Sequence, residues 1–130
     1  MEASTSDSDN KRILLVNREP ILCKFVARVL ASAHYEVLIA HSREGAMEAA
    51  ADPSVALVLV DPWLAGNYDI ALVRDLVALG GPLVIVLSDP PSDGERQRAL
   101  DAGAIDCISI PVAPAEITAR VQQALAHRDP

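Results

Sequence analysis

The sequence predicts an α/β domain built on a doubly wound, parallel sheet of five strands with helices on both faces. Two observations predict it. Five short apolar runs alternate along the chain with five helix-like segments. Each run is almost continuously apolar, the pattern of strands covered on both sides, where a half-exposed strand would alternate. Right-handed crossovers between such strands distribute the helices over both faces.

The elements follow in order. Ile13-Leu14-Leu15-Val16 is the first strand, bounded by polar residues. Pro20 opens a helix, where its fixed φ suits the first turn, and Ile21, Leu22, Phe25, Val26, Val29 and Leu30 recur at helical spacing as its expected inner face. A second strand is expected over Tyr35 to Ala40 and a short helix over about Arg43 to Ala51. The third strand, Ala56 to Val60, is wholly apolar and stops on Asp61. After the loop Pro62 to Tyr68, Asp69 is placed to cap a helix whose stripe is Leu72, Val73, Leu76 and Val77, and Gly80-Gly81 ends it. Leu83 to Leu87 is the fourth strand, and Ser92-Asp93 starts a weakly apolar helix through Ala102. Cys107 to Ile110 is the fifth strand, closed by Pro111; Ile117, Val121 and Leu125 stripe a last helix from about Ala113 to Ala126.

Composition sets the limits. The chain has 130 residues, the length of one domain. It is 51% hydrophobic but 3% aromatic, so its core must come from Val, Leu, Ile and Ala. A formal charge of −7 weighs against nucleic-acid or membrane-surface binding, which call for clustered cations. No run approaches the roughly 18–20 apolar residues of a membrane span. Residues 1–10 are polar and acidic, expected to be a disordered lead-in rather than a signal peptide. The folded domain is expected over 11–126, with 127–130 a tail or a truncated linker. Cys23 and Cys107 fit neither a disulfide framework nor a metal motif and are expected as buried thiols in a reducing cytoplasm. His34, His41 and His127 lack metal spacing and are expected at the surface.

In open parallel sheets, function gathers beyond the carboxyl ends of the strands. Those ends deliver Asn17, Arg18 and Glu19, then Asp61, then Ser88 and Asp89, then Ile110-Pro111. There is no glycine-rich phosphate loop after the first strand, no Ser-His-Asp set, no Cys-His pair and no zinc spacing, so no enzyme is expected.

Four segments, Lys11 to Pro20, Leu57 to Asp61, Ile85 to Ser88 and Ala102 to Pro111, stand in an order and spacing that resembles the receiver domain of two-component response regulators. The resemblance covers residues 11 to about 126 and implies the CheY-like strand order 2-1-3-4-5. It implies phosphoryl transfer from a sensor-kinase histidine to Asp61. A carboxylate and a phosphate repel; two like charges about 4 Å apart cost roughly 4 kcal/mol at an effective dielectric near 20. The family offsets this with Mg²⁺ on an acidic pair after the first strand and a lysine at the end of the fifth.

By the same resemblance, the acidic pair corresponds here to Asn17 and Arg18, and the lysine to Ile110. Arginine offers no oxygen ligand, so Mg²⁺ binding is expected to be weak or absent, with no other cofactor. The alternative is that Glu19 and Asp89 substitute as carboxylates, though each lies one residue out of register. Ser88 matches the family's hydroxyl switch, and Cys107 replaces its usual aromatic partner. Asp89 stands where a small residue is preferred and Ala65 where proline is usual, while Gly66 fits. Arg18 is expected to fill the metal position and pair with Asp61, favouring its ionised form; the alternative is an Arg18 pointing to solvent. Asp61 and Ser88 each have a plainer alternative role, satisfying backbone groups at a strand end.

Arg96, Asp101, Asp106, Glu116 and Arg120 match positions used for two-fold dimers in the winged-helix, OmpR/PhoB-like regulators, with Glu116 and Arg120 on one helical face. The alternative is a solvated surface with local ion pairs. The expected function is an atypical receiver in phosphorelay signalling, independent of phosphorylation or poorly phosphorylated. It would act on a protein partner: a sensor kinase, an effector domain or a second copy. The competing readings are a phosphorylatable receiver with a rearranged acid set and a small flavodoxin-like ligand-binding enzyme.

Overall fold

In the computed structural model, which describes residues 11–90 and 92–128, ten elements alternate in type. They are β1 (Arg12–Val16), α1 (Pro20–Ser32), β2 (Glu36–Ala40), α2 (Arg43–Ala50), β3 (Val55–Val60), α3 (Ile70–Ala78), β4 (Leu83–Ser88), α4 (Asp93–Asp101), β5 (Asp106–Ser109) and α5 (Pro114–Arg128). The strands form one parallel sheet in the order β2-β1-β3-β4-β5, as expected. The expected lead-in, residues 1–10, lies outside the described residues. The last helix runs through residues 127 and 128, and residues 129 and 130 of the expected tail lie outside the described residues.

The pleat sorts each strand onto two faces. Leu14, Val16, Val58, Val60, Val84, Val86 and Cys107 pack with Ala46 and Ala50 of α2, Leu72, Val73 and Leu76 of α3, and Ala99 of α4. Ile13, Leu15, Leu57, Leu59, Ile85, Leu87 and Ile108 pack with Cys23, Val26 and Leu30 of α1 and Ile117, Val121 and Leu125 of α5. Both faces being covered explains why the strands read as unbroken apolar runs. Leu57, Val58, Leu59 and Val60 are all fully buried. At about 1.5–3 kcal/mol per large apolar side chain, that burial makes β3 a firm platform, and Asp61 follows at its tip.

The inner face of α1 differs from the expectation. Ile21 is 83% exposed and Phe25 45% exposed; the buried residues are Cys23, Val26 and Leu30. Successive helical residues turn by about 100°, so Ile21 lies about 140° from Val26 and Phe25 about 100° from it. The small Cys23, not Ile21, makes the first-turn contact.

Local chemistry ends the other helices as expected. Asp69 Oδ1 accepts the Leu72 amide at 3.1 Å, and Ser92 with Glu95 forms a reciprocal capping box at the start of α4. Between α4 and β5, Gly103 has φ +111°, and a Cβ there would sit 2.6 Å from Val77 Cγ1. Only glycine lets this turn lie against α3.

Candidate functional site

Asp61 follows β3 directly, and its amide donates to Val16 O at 2.9 Å, which continues the ladder to β1. Its carboxylate, half-buried, therefore projects from rigid backbone between two strand ends. Oδ1 accepts the Trp63 amide at 2.9 Å, and Oδ2 accepts Asn17 Nδ2 at a longer 3.4 Å. Burial pushes the Asp61 carboxyl above its ordinary range; the Trp63 amide opposes this, Asp89 adds to it, and Arg18 opposes it weakly.

Asn17 is a hub. It is 2% exposed, and each of its polar groups is used. Its amide N–H donates to Ala40 O at 3.1 Å, and its side-chain Oδ1 accepts the Glu19 amide at 2.8 Å. Its carbonyl accepts from His41 Nδ1 at 2.8 Å and from Cys23 Sγ at 3.5 Å. A carbonyl cannot donate, so His41 carries its proton on Nδ1. His41 is at the surface as expected, yet it also ties the end of β2 to the pocket.

The expected pairing of Arg18 with Asp61 is not made. The Arg18 side chain is 56% exposed, with Nε 4.0 Å from Glu19 Oε2, and no hydrogen bond joins it to Asp61. Two causes act together. Asn17 already occupies the Asp61 oxygen facing β1, and a guanidinium keeps its hydration more cheaply outside the pocket. The Arg18 charge still favours ionised Asp61, as expected, but it is the smallest of the influences on that carboxyl and burial outweighs it. Glu19, also exposed, precedes α1 without capping it by its side chain.

Across the pocket, Ser88 is fully buried, and its hydroxyl donates to Asp89 O at 3.0 Å. The plainer reading of Ser88, a hydroxyl serving backbone, describes this geometry. Ile110 is half-buried against the Ile13 side of the core, and its amide donates to Ser88 O at 2.9 Å. Cys107 is 4% exposed, and burial pushes its thiol up.

Sequence reasoning missed Tyr68. Two of the four aromatic residues, Trp63 and Tyr68, stand in one loop, and their rings meet edge to face with centroids 5.4 Å apart. The Tyr68 hydroxyl is buried without a hydrogen-bond partner in the protein. Its phenol is pushed up to about 12, first by burial, then by Cys107, Glu95 and Asp61, with Arg98 opposing. The available signal was a small residue at 107 together with paired aromatics in an otherwise small-residue loop.

On the α4–β5–α5 side, the charged residues pair within the chain. Arg120 holds Asp106 and, through Nε at 2.8 Å, Glu116. Gln97 donates to Asp101 at 2.9 Å, and Arg96 Nη1 to Cys107 O at 3.3 Å. Beside them, a groove of about 410 Å³ is lined in part by Leu83, Ile105, Arg120 and His127. Among the described residues, no three His, Cys, Asp or Glu side chains converge as a metal-holding group.

A carboxylate at the tip of the third of five parallel strands, flanked by residues from the ends of the first, fourth and fifth, matches one family. The model of the response regulator receiver domain fits residues 13–122. This chain belongs to the response regulator receiver family. The receiver is 31% identical over 124 residues to the phosphate regulon transcriptional regulatory protein PhoB of Pseudomonas aeruginosa, covering 92% of this chain and 54% of that one. It is 31% identical over 113 residues to the KDP operon transcriptional regulatory protein KdpE of Escherichia coli, covering 87% and 50%. The receiver thus spans about half the length of these curated relatives. Among solved structures it resembles the BeF3-activated N-terminal receiver domain of Klebsiella pneumoniae RstA, with TM-score 0.81, 28% identity and coverage of 88% and 98%. A CheY-like receiver from Methanospirillum hungatei shares the fold at TM-score 0.85 and 24% identity, with coverage of 92% and 96%.

Proposed function

We propose that this receiver works without phosphorylation, or with poor phosphorylation, as a docking module in two-component signalling. One observation carries the reading: the Asp61 carboxylate is held by the Trp63 amide and the Asn17 side chain, and Asn17 has no polar group to spare. The Mg²⁺ that the family implies does not fit this donor set. Mg²⁺ wants near-octahedral oxygens. Asn17 Oδ1 is taken by the Glu19 amide, Asp61 Oδ1 by the Trp63 amide, and Arg18 supplies none. A phosphoryl group on Asp61 would meet the negative Asp89 nearby and an uncharged Ile110 where the family has lysine.

The rearranged acid set of the competing phosphorylatable receiver gains little support, because Glu19 is turned to Arg18 and Asp89 is exposed. We read the chain as a signalling module rather than an enzyme, and as one that acts in the cytoplasm on a sensor kinase, an effector domain or a second copy. No nucleic-acid contact is proposed for this domain, whose net charge is −7. Among the described residues, no helix is long and apolar enough to cross a membrane. For a second copy, the proposed face is Arg96, Asp101, Asp106, Glu116 and Arg120, together with Ile105, which is 47% exposed. Asp106, Glu116 and Arg120 already pair within one chain, so a dimer would exchange those pairs across the two-fold axis. Light scattering over a concentration and salt series checks this: a dimer weakening with salt supports it, and a monomer at high concentration rejects it.

Trp63, which caps the Asp61 carboxylate through its amide, reports directly on the pocket. Its fluorescence should stay unchanged on adding millimolar Mg²⁺ with beryllofluoride. Saturable quenching would favour the phosphorylatable receiver instead.

A further inference from the structure

We infer that the acidic segment 1–10 folds back along the outer face of α1, setting Asp9 and Asp7 on Arg28 and Lys24 and covering Ile21 and Phe25. That face differs in charge from the rest of the surface. Helix α1 is the only one of the described helices without a carboxylate. Its two charged residues, Lys24 and Arg28, are exposed, and neither makes an ion pair among the described residues. By contrast, Arg12, Arg18, Arg43 and Arg120 each have a carboxylate partner. Ile21, Lys24, Phe25 and Arg28 are spaced i, i+3, i+4 and i+7, so they share one side of the helix. Two of the five large apolar side chains exposed among the described residues therefore stand beside two unpaired cations.

Charge and reach together select the occupant. Residues 1–10 hold three carboxylates, Glu2, Asp7 and Asp9, and no Lys or Arg. The segment joins the domain close to where α1 ends. Lys11 O accepts the Glu36 amide at 3.0 Å, and the adjacent Tyr35 amide donates to Leu30 O, in the last turn of α1, at 3.2 Å. Ten extended residues span about 33 Å, whereas the 13 residues of α1 rise about 20 Å, so the segment can run the whole length of the helix. The spacings also agree. Asp7 and Asp9 lie about 7 Å apart in an extended chain, and Arg28 and Lys24 about 6 Å apart along the helix. A second copy docked α1 on α1 would instead set cations against cations. A membrane or nucleic acid would meet two cations on a chain of net charge −7. Exposed ion pairs are individually weak and screened by salt, but the short tether holds the segment at an effective concentration of about millimolar. The covered face opens at Pro20, three residues after Asn17, so the segment closes a protein-docking surface beside the Asp61 pocket. This holds whether or not Asp61 accepts phosphate.

The test places a nitroxide on Ser4→Cys in the full chain and reads paramagnetic loss of backbone amide signals. Cys23 and Cys107 are 1% and 4% exposed, and intact mass checks that a single label is added. At low salt, residues 21–28 of α1 should lose at least about two-fold more intensity than residues 43–50 of α2, which lies on the opposite face of the sheet. The signals should recover in 1 M NaCl, where the screening length is about 3 Å, and in a Lys24→Glu, Arg28→Glu variant. Asp7→Asn with Asp9→Asn, which leaves the folded domain untouched, should restore them equally. The inference is overturned if α1 and α2 are affected alike, if neither is affected, or if the α1 loss survives either pair of substitutions.

Discussion

The two sides of the pocket are built on opposite terms. On the β1–β3 side, Asn17 satisfies Glu19, His41, Cys23, Ala40 and Asp61 at once. On the β4–β5 side, Ser88 turns onto its neighbour's carbonyl, Ile110 adds packing without charge, and the Tyr68 hydroxyl has no partner. The first side is locked by complete hydrogen bonding; the second is held by packing and carries an unmet donor. On the function proposed above, a hydrogen-bond hub standing where metal ligands are expected would add rigidity at the place of the phosphoryl chemistry.

The sharpest way to break this contrast is Asn17→Ala. It strips a buried amide from two partners, so chemical denaturation should show a loss of about 1–3 kcal/mol with an unchanged m-value. The Asp61 carboxyl tests the same side through pH. Its folded pKa lies above the ordinary 3.8, so the folded state binds the extra proton more tightly, and stability falls as pH rises from about that value through the raised folded one. The stability difference between the native chain and Asp61→Asn should therefore move in the variant's favour as pH rises through that window, and level off above it. On the other side, Tyr68→Phe removes the orphan hydroxyl while keeping the ring and should stabilise the fold by about 1 kcal/mol, read as a higher thermal midpoint. The smallest effect belongs to Ser88→Ala, a loss of roughly 0.5–1 kcal/mol, since its single bond goes to the adjacent carbonyl. If Ser88→Ala cost more than Asn17→Ala, the contrast between the two sides would be reversed.

The fold was legible because sheet burial on both faces leaves its mark directly in sequence: Val55 to Val60 cannot be a half-exposed strand. Caps were legible for the same local reason, as with Asp69 and Ser92. The inner face of α1 was not, because periodicity shows that apolar stripes exist but not which of two adjacent stripes meets the sheet, and Ile21 and Phe25 fell on the outer one. Positions of the pocket residues followed from strand ends. Their pairing did not: charge alone favoured Arg18 with Asp61, whereas a neutral amide one residue earlier was already inside and needed no desolvation of a cation. Tyr68 was least legible of all, since a loop residue's contacts depend on how the chain returns, not on any period.

The most direct measurement is intact mass after incubation with acetyl phosphate and Mg²⁺, with Asp61→Asn as the control and an Asn17→Asp, Arg18→Asp, Ile110→Lys variant beside it. The native chain should show no stable phosphoryl adduct, while the variant, given back acidic ligands and a lysine, should acquire one. A stable adduct on the native chain that disappears in Asp61→Asn would contradict the account.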